Sequence, residues 1–147
     1  MKVIAIDPGP HVGIAFYWNG TFNSLALTDV EFYEDSNRVE AWLAEADVVV
    51  CENFIISGPR AREANETIEM IGVLRFLSRC HDSQFVEQAP ADARVFSTNA
   101  KLQRLGWYQR GGSDHARSAT RHLVLYLAKA GILGAELLHF PKEGEST

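Results

Sequence analysis

Apolar positions in the first thirty residues fall into three short runs divided by turn residues. Lys2–Asp7 (KVIAID) and Val12–Trp18 (VGIAFYW) read as strands on either side of a Pro8-Gly9-Pro10 turn. Asn19-Gly20 then signals a hairpin, with a third strand over Phe22–Leu27. The period changes at Asn37–Ala46, where Val39, Trp42, Leu43 and Ala46 recur at helical spacing. Asp47–Phe54 (DVVVCENF) is a nearly continuous apolar run of strand length, the pattern of a central strand buried on both faces. Ser57-Gly58-Pro59 breaks it. Met70, Val73, Leu74 and Leu77 mark a helix over 62–79, and Gln84–Gln88 a short strand. Helical turns are expected at Pro90–Val95 and Asn99–Leu105. Last comes a helix capped by Ser113 or Asp114, with Ala116, Ala119, Thr120, Leu123, Leu127 and Ala130 on one face and Gly131 beyond its end. Strands alternating with helices in this order predict one α/β domain with a mixed sheet, ending in a tail from about residue 140.

Composition agrees with a globular domain: 147 residues, 46% hydrophobic and 22% charged. No apolar run approaches the roughly 18 residues of a membrane span, and no apolar leader follows Met1, so neither a membrane partner nor a secretory signal is expected. Two cysteines, Cys51 and Cys80, make no disulfide framework and suit a cytoplasmic setting. The net charge of −5 argues against gripping nucleic acid with the whole surface, but its distribution is uneven. Residues 1–52 carry −7, residues 53–100 carry −1 and residues 101–147 carry +3.

Asp7 ends one apolar strand and Glu52 another. If those strands are neighbours, the two carboxylates project side by side from one end of the sheet. They would repel each other, and their natural partner is a hard divalent cation such as Mg²⁺ or Mn²⁺. His115 and Ser118, three apart on the last helix, share a face, with Asp114 beside them. Taken alone, Asp114 is an ordinary helix cap. Glu63, Glu66 and Glu69 read as a solvated stripe.

Taken in order, these segments resemble a known pattern. IAIDPGPHVGIA, VVVCENF and DHARSATRHLVLYL are similar to the three motifs of the RuvC-type Holliday junction resolvases, which have the ribonuclease H-like fold. ETIEMIGVLRFL, FVEQAPADAR and LGWYQRGG resemble the short resolvase-like proteins of bacteriophages, so the likeness spans most of residues 1–130. The resemblance implies a mixed five-stranded sheet flanked by helices, and a two-metal site holding Mg²⁺ or Mn²⁺ at Asp7, Glu52 and His115. It implies phosphodiester hydrolysis of four-way junctions, with forks and flaps as further branched substrates, leaving a 5′ phosphate and a 3′ hydroxyl. Ser118 departs from the pattern, standing where the family carries its last Asp ligand. Either Asp114 supplies the missing charge, or a water bridges Ser118 to the metal, or the chain binds junctions and cuts poorly.

The basic residues gather around these motifs. Arg60, Arg62, Arg94, Lys101, Arg104, Arg110 and Arg117, with Arg121 on the last helix, are candidate phosphate contacts. Phe54, two residues past Glu52, stands where the family places an aromatic near the junction; it is a candidate for base stacking or an ordinary core residue. Trp107 and Tyr108 carry the same alternatives. The family's symmetric double cut implies a homodimer, for which the helix over 62–79 is the expected interface. Other readings are a non-catalytic junction-binding protein or another ribonuclease H-like nuclease, such as a YqgF-type enzyme. An actin-like ATPase is not expected, because that architecture needs two such domains.

Overall fold

A single five-stranded sheet organises the chain in the computed structural model, which describes residues 1–53 and 61–134, with the side chains of 61–64 left aside. The elements run β1 (Lys2–Asp7), β2 (His11–Trp18), β3 (Thr21–Thr28), α1 (Asp29–Glu34), α2 (Ser36–Glu45), β4 (Val48–Glu52), α3 (Ala61–Cys80), β5 (Gln84–Gln88), α4 (Pro90–Phe96), α5 (Asn99–Leu105) and α6 (Asp114–Lys129). Strand order is β3-β2-β1-β4-β5. β1, β2 and β3 pair antiparallel as a meander, while β4 runs parallel to both β1 and β5. The β2–β3 turn falls on Asn19-Gly20, both with positive φ (51° and 97°), as a tight hairpin of matching twist requires.

Alternation along the strands divides the core in two. Ile4, Ile6, Val12, Ile14, Val49 and Cys51 face α1–α3, where Phe32, Val39, Leu43, Met70, Ile71 and Leu74 complete one core. Val3, Ala5, Ala15, Val48 and Val50 face the other way, onto Ala119, Leu123 and Leu127 of α6. This second sheet face is floored by small residues, so the helix can lie close. Burial of each of the two leucines contributes about 1.5–3 kcal/mol.

Gly13 sets the closeness. A Cβ at this position would lie 1.9 Å from the carbonyl oxygen of His115 and 2.2 Å from its carbon. Only glycine lets the first turn of α6 rest on β2 there, directly beside Asp7, its register partner on β1.

The expected elements are present with small shifts in their ends, and α5 has the expected bounds. α1 was not expected from hydrophobic spacing. Its six residues are too short for a period, but Thr28 and Glu31 close a reciprocal capping box at its start. Ser113 caps α6, its side chain accepting from the backbone N–H of His115, and Gly131 follows with φ 73°. No helix among the described residues is long and apolar enough to cross a membrane. The expected tail from about 140 lies outside the described residues.

Candidate active site

Strand parity decides which polar side chains meet. Asp7 follows Val3 and Ala5 on the α6 face, Glu52 follows Val48 and Val50, and Gln88 follows Val86, all at the carboxyl ends of their strands. Glu52 and Gln88 are direct register partners. Above them α6 presents His115, Ser118 and His122, a stripe at i, i+3 and i+7 continuing past the apolar stripe that holds the helix to the sheet. The sheet ends and this stripe form one wall of a cavity of about 480 Å³, whose lining also includes His11, Thr67, Arg94 and Arg121.

Within it, His115 Nδ1 lies 3.4 Å from Asp7 Oδ2. Ser118 Oγ donates to Glu52 Oε2 at 3.1 Å, and His122 Nε2 lies 2.8 Å from the same oxygen. His122 Nδ1 reaches Gln88 Oε1 at 2.9 Å. Asp7 is almost wholly buried, and burial together with the neighbouring Glu52 charge raises its pKa to about 7, against the opposing influence of Ser118 and His122. His11 stacks on His115 with ring centres 5.4 Å apart, extending the imidazole wall toward the cavity mouth.

A buried acid whose proton affinity is raised by burial and by a neighbouring carboxylate fits a divalent cation, whose charge would relieve the repulsion. Asp7 and Glu52 could hold it, with His115 beside Asp7. Among the described residues no three acid, histidine or cysteine side chains are closed around one point. Any cation held by Asp7 and Glu52 would therefore take most of its ligands from water or substrate, as Mg²⁺ commonly does.

The other candidates are distributed as follows. Asp114 lies at the rim, its side chain 89% exposed and paired with Arg117, and is not brought to the two carboxylates. Arg117 is largely enclosed: it donates to the carbonyls of Gln109 and Gly112 at 3.0 Å and covers the Tyr108 ring, so it shapes the loop before α6. Lys101 donates to the Phe96 carbonyl at 2.7 Å and sits over that ring. Arg94 lines the cavity, whereas Arg104 and Arg110 are exposed away from it. Arg121 also lines the cavity, held by Ser97 and Asn99. Trp107 stacks on Phe22 at 4.7 Å and packs within the α6-side core. Phe54 and Arg60 lie outside the described residues, as does the side chain of Arg62.

The architecture can now be set beside solved structures. RuvC of Thermus thermophilus in complex with a Holliday junction substrate superposes with a TM-score of 0.66 at 15% identity, over 89% of this chain and 96% of that one. The fold is the ribonuclease H-like fold of the RuvC-type resolvases. The fowlpox virus Holliday junction resolvase matches with a TM-score of 0.53 at 16% identity, over 88% of this chain and 99% of that one. The same viral resolvase with its junction DNA gives 0.52 at 14%. No family model and no curated protein matches the sequence. The likeness to RuvC thus lies in the backbone, and it covers nearly the whole of each chain.

Sequence reasoning missed His122, Gln88 and His11. His122 could have been found: it follows Ser118 by four residues and so shares its helix face. Its apolar surroundings, HLVLYL, disguise it as core. Nothing local distinguishes Gln88, which enters only through its register with Glu52.

Proposed function

We propose that this protein is a structure-specific DNA endonuclease that cleaves four-way junctions, with Mg²⁺ or Mn²⁺ as cofactor. The observation that carries this reading is the convergence of Asp7 and Glu52 from neighbouring parallel strands, beneath His115, in a cleft of the resolvase fold. Forks and flaps are further substrates. A reducing, cytoplasmic setting, as in a phage-infected cell, suits the two free cysteines.

The chain's own groups divide the work. Asp7 and Glu52 bind the cation, which when present supplies charge stabilisation for phosphodiester hydrolysis and lowers the pKa of water. His115, 45% exposed in its side chain and hydrogen-bonded to Asp7, orients the attacking water. Arg94 and Arg121 face the same cavity and neutralise the phosphates flanking the scissile bond. Among the described residues Asp7 and Glu52 stand at the cavity floor with Asp114 at its rim, and the two floor carboxylates would be the groups that hold an ion.

Symmetric cutting calls for two copies. α3 carries an outward apolar stripe of Ile68, Val73 and Phe76, 40%, 40% and 67% exposed, and Gly72 within it has open space beside it. This face supports a homodimer about a two-fold axis.

A second reading is favoured by one observation. Ser118, at the place of the family's last acid, is hydrogen-bonded to Glu52 and adds no negative charge. On that reading the protein binds junctions without cutting them. Labelled four-way junctions, forks, flaps and linear duplex, incubated with Mn²⁺ and either wild type or Ser118→Asp, separate the two. Junction cleavage by wild type, absent on linear duplex, is expected; cleavage by Ser118→Asp alone would establish the binding protein.

A further inference from the structure

Among the described residues His122 is the only buried histidine, 1% exposed, and the proposed reaction gives it no step. An imidazole enclosed by protein is unfavourable unless both ring nitrogens find partners. Here one partner is Glu52 Oε2 at 2.8 Å and the other is Gln88 Oε1 at 2.9 Å. Glu52 and Gln88 are register partners on adjacent strands, so the sheet ladder fixes the spacing of their Cα atoms. The ring spans them from above, anchored by its helix neighbours Ala119 and Leu123 in the core. Ser118, one helical turn before His122, donates to the same Oε2 at 3.1 Å. With its proton on Nε2 and the Gln88 amide turned to donate to Nδ1, His122 joins Ser118 as a second donor from one rigid helix to one oxygen of one carboxylate.

We propose that His122, itself oriented by Gln88, is a positioning residue. Together with Ser118 it clamps the Glu52 carboxylate through Oε2 and leaves Oε1 for the cation. This rests on the nuclease reading of the site and adds an explanation of its unusual serine. An acid at 118 would repel Glu52, whereas the hydroxyl donates to it. The missing charge and the added donor are then two sides of one arrangement. A free carboxylate would lose rotational freedom on gripping a cation; a clamped one has lost it already.

The test is Mn²⁺ titration of the DNA-free protein by calorimetry on wild type, His122→Leu, His122→Gln and Gln88→Leu. Circular dichroism would monitor the fold, and junction affinity and turnover would be measured on the same samples. His122→Leu is expected to weaken Mn²⁺ binding about 10- to 100-fold. It should lower kcat and leave junction affinity unchanged, because His122 is only 1% exposed and offers no surface to DNA. His122→Gln retains an N–H that can reach Glu52 and should recover part of the loss. Gln88→Leu should weaken Mn²⁺ in the same direction by less, and with His122→Gln it carries the test if His122→Leu does not fold. Wild-type Mn²⁺ affinity in the folded variants would overturn the clamp and leave the nuclease reading standing, as would equal losses in His122→Leu and His122→Gln. A wild type that neither binds Mn²⁺ nor cuts would overturn the nuclease reading and the clamp with it.

Discussion

Helices α6 and α3 cover opposite faces of one sheet, and each departs from the ordinary amphipathic pattern in its own way. α6 turns polar groups inward: His122, buried, and Ser118, half-buried, both reach Glu52. α3 exposes apolar ones: Met70 and Leu74 hold it to the core, yet Ile68, Val73 and Phe76 face out. Buried polar groups must be satisfied locally, and exposed apolar groups are informative when they form a stripe. On the proposed reading the difference separates chemistry from assembly: one face of the sheet carries the candidate site, and the other an apolar stripe on which a second copy would rest.

Substitutions on the two faces should therefore fail in different ways. The largest effect is expected at Glu52→Gln. It removes one of the two carboxylates, and junction cleavage should fall about a thousandfold, roughly 4 kcal/mol of barrier, while junction binding by gel shift persists. Gly13→Val comes next. Its side chain would overlap the His115 carbonyl, so α6 must lift from β2, with a loss of about 3 kcal/mol in urea unfolding.

Asp7→Asn should act on stability with the opposite sign. The folded protein raises the Asp7 pKa to about 7 from the ordinary 3.8, so between these values the folded state holds a proton that the unfolded chain has released. Stability without metal falls as pH rises through this window. Asparagine, which stays neutral, should be stabilising by roughly 1–3 kcal/mol at pH 8 and nearly neutral in effect at pH 4. Thermal unfolding in chelator at the two pH values checks it. The smallest stability change belongs to Phe76→Glu on α3: within about 0.5 kcal/mol of wild type, as for most surface changes. Sedimentation should nonetheless show a dimer becoming a monomer, with the cavity residues untouched.

The same two helices show what could be read in the sequence. The strand ends at Asp7 and Glu52 were legible because apolar runs of strand length stop at an acid, which burial would otherwise forbid. The capped start of α6 was legible from Ser113 and the spacing after it. α1 was not, because its signal is a capping box and not a period. The arginines were the least legible. Sequence shows that Arg94 and Arg117 are charged near a motif, but not that Arg94 lines the cavity while Arg117 ties down a loop. Partnerships across the sheet, such as Glu52 with Gln88 and both with His122, depend on register, which no local pattern encodes.

Both faces answer to one measurement. Wild type and Asp7→Asn should be compared on a labelled four-way junction with Mn²⁺, with circular dichroism showing that both are folded. Paired nicks by wild type that disappear in Asp7→Asn, with junction binding retained, are the predicted result. Cleavage that survives Asp7→Asn would contradict the assignment of the site.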